Sequence, residues 1–279
     1  MEKILAIIST LAYAFSDASF KIDPDVMAIV VAPLAVISLA ITTLHAAKML
    51  GWKPALRFVG VGMAIAYVIE EIGVHTGIVF GRYYFTPIMG PKLDVIPIAI
   101  ICFWVSLSYI AWVVTNLLID DSPTPIRHTP YMIIFRAIVG ALIITTFDII
   151  ADPFAVANGW WVWLDGGAFF GVPIHNYVGW FIVAFVSYLV HGYQLRREQL
   201  PSIELASLGV RRLSIVPLAM YGLSGIIFIF INFAGQLGLI SFYLFGIPFL
   251  VAAWKWVVWY KRAPKVITAQ TAKTSLSDD

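Results

Sequence analysis

Charge is what this sequence has least of. Only 12 % of its 279 residues are Asp, Glu, Lys or Arg, against about a quarter in soluble domains. Hydrophobic residues make up 61 % and the mean hydropathy is +0.89, which excludes an ordinary soluble globule. The chain reads as an all-α, polytopic integral membrane helix bundle. A single cysteine, Cys102, lies inside an apolar run, which excludes an intramolecular disulfide and a cysteine metal site. Histidine is scarce too, with five residues. No HxxxH or HxxHH cluster occurs, which disfavours a di-iron membrane hydroxylase. His45 and His191 fall at one depth, a weak pattern for a paired-histidine haem, and no metal site is expected. The net charge of +2 says little about partners, and no nucleic-acid partner is expected. There is no strong internal repeat, and no soluble domain fits between the apolar runs.

Those runs are what the sequence has in abundance. Seven are near the roughly 20 residues needed to cross a bilayer: 26–50, 56–73, 95–119, 131–151, 177–195, 214–233 and 237–260. The N-terminus faintly resembles a signal peptide but lacks a small-residue cleavage site, so Ile4–Phe15 is read as a short first span. Seven to eight transmembrane helices are therefore expected, with residues 1–262 as one transmembrane domain. Residues 263–279 are expected to be a disordered cytoplasmic tail.

Basic residues set the orientation. Lys48, Lys53, Arg57, Arg127, Arg196, Arg197, Arg211, Arg212, Lys255, Lys261, Arg262 and Lys265 crowd alternate connections. The other connections hold only Lys21, Arg82 and Lys92. By the positive-inside rule this is a multi-pass cell-membrane protein with both termini in the cytoplasm. The 74–94 and 152–176 connections then lie together on the outer side.

Those two connections hold most of the chemistry. Asp148 and Asp152 sit four apart and share one helix face. Pro153 follows, so the helix is expected to end near Asp152. Trp160, Trp161, Trp163, Asp165, His175 and Asn176 come next. The partner stretch has Glu70 and Glu71 at the end of a span, Gly73, Gly77 and Gly81 at every fourth position, then Arg82, Tyr83, Tyr84 and Phe85. The glycines permit either close helix packing or a tight re-entrant loop. Ionisable groups inside a membrane are costly and mark functional sites. The bland alternatives are that one glutamate meets headgroups while the other pairs with Arg82 or Lys92, and that the tryptophans form an interfacial belt. With Asp17, Asp23, Asp25 and Asp94, nine of the sixteen acidic residues fall on this face. Arg136, one turn inside its helix, is expected to snorkel to the cytoplasm.

The pattern Glu70-x-x-Gly73-x-x-Thr76-Gly77-x-x-Phe80-Gly81-x-Tyr83-x-Phe85, then Gly90-Pro91 and Val95-x-Pro97, resembles the carotenoid biosynthesis membrane proteins. That family includes carotenoid 1,2-hydratases and bisanhydrobacterioruberin hydratases. The second stretch is similar too: Asp148-x-x-x-Asp152-Pro153, Trp161-x-Trp163, and Phe170-Gly171-Val172-Pro173-x-x-Asn176-x-x-Gly179-Trp180. The resemblance covers roughly residues 55 to 195. Phe85 and Phe170 depart from it, standing where many relatives carry tyrosine.

The resemblance implies an enzyme that adds water across the terminal C1–C2 double bond of an acyclic carotenoid, with no cofactor. Such a reaction needs an acid to protonate C2, a place for a tertiary cation at C1, and a positioned water. A carboxylic acid in an apolar setting can remain protonated near neutral pH. Asp148 is the first choice for that acid, with Glu70 close behind, and Asp152 or Glu70 would take the proton from water. Trp161, Trp163 and Tyr83 would face the cation. His175 and Asn176 would hold the water, and Arg82 and Glu71 complete the substrate-binding set. The expected partners are the polyene, membrane lipid and other carotenoid biosynthesis enzymes. A proton-coupled transporter, a non-catalytic carotenoid- or lipid-binding protein, and an enzyme modifying another isoprenoid end group are the competing readings.

Overall fold

The computed structural model describes residues 24–198, 200, 207–231 and 235–277. The Ile4–Phe15 segment lies outside the described residues. Helices α1 (Pro24–Leu50) and α2 (Trp52–Thr76) are separated only by Gly51, whose φ of +89° turns the chain back. A compact loop follows, with β1 (Tyr83–Phe85), a 3-10 turn at Pro87–Met89, β2 (Lys92–Leu93) and β3 (Ile96–Pro97). Then come α3 (Ile98–Asp120), α4 (Pro130–Ala157), β4 (Trp161–Trp163) and α5 (Ile174–Leu195). The chain closes with α6 (Leu208–Leu213), α7 (Val216–Ile231), α8 (Gln236–Ser241), a π turn at Phe242–Gly246 and α9 (Ile247–Ser277). The many β-branched residues do not oppose helix here, because lipid leaves the backbone no partners but its own.

Among the described residues, six helical segments are long and apolar enough to cross a membrane: Ile29–Leu50, Ile98–Asp120, Pro130–Ala157, Ile174–Leu195, Leu208–Phe230 and Gln236–Arg262. α2 has the length but carries Lys53, Arg57, Glu70 and Glu71, and stands outside that set. α3 is the hub. It packs against α1, α2, α4, α7 and α9, and its apolar window is 78 % buried against 22 % for the last span. α4 lies along α5 and both contribute to one wall of the bundle.

Two expectations need correcting. α4 does not stop at Asp152 but runs through Pro153 to Ala157, ending where the Asn158 side chain donates to the Phe154 carbonyl at 2.8 Å. A proline removes one backbone donor, and a packed membrane helix tolerates that loss; Pro153 and Ala155 are both buried. Arg136 does not snorkel. It is 5 % exposed and pairs with Asp120, whose other oxygen meets Arg127 at 3.2 Å. A buried guanidinium is kept where a carboxylate pairs with it. α9 runs from Ile247 to Ser277. Extending an existing helix is cheaper than nucleating one. His45 has both ring nitrogens engaged, Nδ1 with the Tyr109 hydroxyl at 2.8 Å and Nε2 with the Leu213 carbonyl at 3.0 Å. It is therefore not half of a haem pair.

The two ends of the bundle differ in kind. At one end Arg57 pairs with Glu198, Lys255 with Asp121 at 2.7 Å, and Arg211 donates to the Tyr260 carbonyl at 2.7 Å. The other end carries the two motif loops.

Candidate active site

The motif loops meet as a small antiparallel ribbon. β1 pairs with β4 in the register Tyr83–Trp163, Tyr84–Val162 and Phe85–Trp161. Side chains alternate across a strand, so Tyr83, Phe85, Trp161 and Trp163 share the inner face while Tyr84 is 48 % exposed. Backbone bonds from Thr86 to Trp160 (3.0 Å) and from Leu164 to Arg82 (2.8 Å) extend the pairing at both ends. Outside it, Arg82 grips Asp165 through two guanidinium nitrogens, with Nε at 2.8 Å. That hydrogen bonding holds the Asp165 carboxyl below the usual carboxylate range.

Two glycines let the ribbon sit where it does. Gly77 caps α2 in the left-handed region (φ 68°), donating its N–H to the Gly73 carbonyl at 2.8 Å. The chain then doubles back over the helix end, so the spaced glycines serve a tight turn. Gly179 of α5 lets the same turn approach, since a Cβ there would lie 2.3 Å from the Val79 carbonyl oxygen. Phe80 locks the contact, stacked on Trp180 with ring centres 4.6 Å apart.

Beneath the ribbon, three carboxyl groups converge. Glu70 is 2 % exposed and accepts a hydrogen bond from the Tyr83 hydroxyl. Asp152 is 5 % exposed and accepts from the Asn176 amide at the start of α5. Asp148, one turn deeper on the same face as Asp152, is half-buried and makes no hydrogen bond among the described residues. All three line one cavity of about 220 Å³. Its walls are otherwise aromatic and aliphatic, with Trp160, Trp161, Trp163, Trp180 and Phe85 on the loop side. Among the described residues, no lysine or arginine lines it.

Of the residues singled out in the sequence, Asp148, Glu70, Asp152, Tyr83, Trp161, Trp163 and Asn176 line the cavity. Three do not. Arg82 is outside, bound to Asp165; His175 is exposed; Glu71 is half-buried, with one carboxylate oxygen 3.1 Å from the exposed His75 ring. Lys92 is also committed elsewhere, donating to the Phe85 carbonyl at 2.6 Å, so neither glutamate takes Arg82 or Lys92 as its partner. Glu71, His75 and Asp94 have ligand atoms within 4.8 Å of one another and are a group that could hold a metal ion, on the surface rather than in the cavity. Sequence reasoning overlooked Ile100, Phe103, Trp104 and Leu107 of α3, Met89, Ala151, and Phe228 of α7. Ile100, Phe103 and Leu107 fall on one helical face and are the less buried positions of an otherwise buried stretch. In an apolar run nothing distinguishes such positions from ordinary core.

The arrangement can do acid and base chemistry on an apolar molecule. It offers three carboxyl groups, two with fixed donors and one without, and aromatic faces that attract a developing cation. A family profile described as "Carotenoid biosynthesis protein" matches residues 26–252. The chain is also similar to a protein named bisanhydrobacterioruberin hydratase from Haloarcula japonica, 28 % identical over 138 residues. That alignment covers 48 % of this chain and 44 % of the relative, so the match spans less than half the length of either. No solved structure matches the chain.

Proposed function

Because this chain belongs to the carotenoid biosynthesis protein family, we propose that it is a membrane enzyme that hydrates the terminal C1–C2 double bond of an acyclic carotenoid. The observation that carries the reading is the placement of Glu70, Asp148 and Asp152 in one aromatic, cation-free cavity inside a membrane bundle. In this mechanism Asp148 delivers its proton to C2 as the π bond opens. The tertiary cation at C1 rests against the faces of Trp161, Trp163 and Tyr83. A water oxygen bonds to C1, and its surplus proton passes to Asp152 or Glu70 and from there back to Asp148. One water is added and no electrons are exchanged, so the product is a tertiary alcohol.

The hydrogen bonding supports these roles. Asn176 and Tyr83 point donors at Asp152 and Glu70, which keeps each as an acceptor for the proton of water. Asp148 receives no such donor, which suits the group that holds a proton. Asn176 alone of the two residues expected to hold water borders the cavity. The polyene is nearly insoluble in water and would enter sideways from the bilayer, only its end group reaching the carboxyls.

Expression in a bacterium that accumulates an acyclic carotenoid tests the reading. Mass spectrometry is expected to find the mass of one water gained per modified end, with the visible spectrum unchanged because an isolated double bond reacts. Asp148→Asn and Glu70→Gln are each expected to lower hydration by at least about a hundredfold, with the protein still folded in the membrane. Unchanged pigment from the wild type, across several acyclic substrates, would turn the reading towards a carotenoid-binding or proton-transporting protein.

A further inference from the structure

A second cavity lies behind the first. It is small, about 20 Å³, and is bordered by Phe58 of α2, Trp104 and Ser108 of α3, and Ser187, His191 and Gln194 of α5. Trp104 belongs to both cavities: it also lines the space shared by Glu70, Asp148 and Asp152. Three residues that border this second cavity each carry a buried polar atom with no hydrogen-bond partner among the described residues: Ser108 Oγ, His191 Nε2 and Trp104 Nε1. These residues are 3 %, 4 % and 6 % exposed. Buried polar groups are rarely left unmatched, and each one that is needs a reason.

Water supplies the reason. A space of roughly 10–15 Å³ with two to four polar partners is enough to hold one molecule. The three atoms are complementary to it. The Trp104 N–H only donates, the Ser108 hydroxyl does both, and His191 Nε2 takes whichever role its tautomer allows. The polar groups also run in one direction. Gln194 is partly exposed at the end of the bundle opposite the motif loops, and His191 and Ser187 follow it inward along α5. Seven residues of helix cover about 10 Å. Ser108 then continues the line on α3, one turn from Trp104.

We propose that this cavity is a water site that supplies the carboxyl-lined cavity across Trp104, drawing on the end of the bundle opposite the motif loops. The proposal rests on the hydratase reading, in which every turnover consumes one water: its oxygen bonds to C1 and its hydrogen replaces the one Asp148 gave to C2. The reaction cavity itself is walled by aromatic rings and is filled by an apolar end group, so its water needs an ordered source. The Trp104 indole moves aside to pass a molecule held at Ser108 and His191.

The test pairs a structure with a rate. A cryo-EM map of the wild-type protein in nanodiscs, at a resolution that shows ordered water, is expected to hold a peak within hydrogen-bond distance of Ser108 Oγ and His191 Nε2. Ser108→Val removes the hydroxyl and fills the space; Ser108→Thr keeps the hydroxyl. Tyr188 donates to the Ser108 backbone carbonyl at 2.8 Å, a bond both variants retain. With a lycopene-type substrate, the Val variant is expected to lose the water peak and to lower kcat about tenfold with KM and Tm unchanged, while the Thr variant stays within about twofold of wild type. A Val variant as fast as wild type, or a fall in kcat accompanied by an equal fall in the Thr variant, would overturn the supply role. Should the Val variant fail to fold, the wild-type map decides, and a site without density overturns the proposal. Density in a wild-type protein that hydrates no substrate would instead defeat the hydratase reading and the supply role together, leaving a bound water with a structural part only.

Discussion

At the residue scale, three carboxyl groups in one cavity are told apart by their donors. Glu70 and Asp152 have one each, from Tyr83 and Asn176, and Asp148 has none. The sequence shows the pairing of Asp148 with Asp152 through its i, i+4 spacing, but Tyr83 lies thirteen residues from Glu70 and Asn176 twenty-four from Asp152. Neither partnership is visible until the chain folds. Tyr83→Phe isolates one of them. The ring keeps its packing against Phe85 and Trp163, at 5.4 and 4.7 Å between centres. Only the donor to Glu70 is lost. A hydrogen bond to a charged group contributes about 1.5–3 kcal/mol, so hydration is expected to fall on the order of 10- to 100-fold, with the thermal midpoint lowered by a few degrees at most. A steady-state assay on purified protein beside a melting curve separates those effects.

At the element scale, the ribbon of β1 and β4 is held by packing on one side and by an ion pair on the other. Packing depends on Gly179, where a Cβ would collide with the Val79 backbone. Gly179→Ala is expected to cost about 1–3 kcal/mol, read as a lowered thermal midpoint, because backbone cannot yield as a flexible side chain would. The ion pair is Arg82 with Asp165, both exposed. The folded state lowers the Asp165 carboxyl below its ordinary value near 3.9, so its contribution is present above that value and is lost as pH falls through the folded one. Amide hydrogen exchange over residues 161–165, corrected for intrinsic rates, is expected to quicken below about pH 4. Asp165→Asn should show the faster exchange already at neutral pH, and equal protection in variant and wild type would remove the latch from the account.

At the scale of the whole molecule, α3 forms the axis and the two ends divide the chemistry. The motif loops close one end over the cavity, while basic residues and buried pairs such as Arg136 with Asp120 hold the other. That separation matches the alternation of lysine and arginine, which predicts the loops on the outer face. Cys102 is the only cysteine and is buried, so introduced cysteines report cleanly. In intact cells, Tyr84→Cys is expected to react with a membrane-impermeant maleimide. Arg196→Cys should react only after permeabilisation. The reverse pattern would invert the molecule.

Local rules account for everything legible in the chain alone: helix spacing, apolar length, charge placement and the two motifs. They lead to a helical membrane bundle, to the meeting of two loops, and to ten candidate residues, seven of which line one cavity. They fail where contact outranks spacing. Pro153 reads as a stop, yet helix packing carries α4 past it. Arg82, Glu71 and His175 read as equal to their neighbours, yet the positions they take in the folded chain lie away from the cavity. The α3 wall of the cavity and the polar atoms behind Trp104 have no signal at all, because in a run of apolar residues only the neighbours on other helices separate a packed position from a lining one.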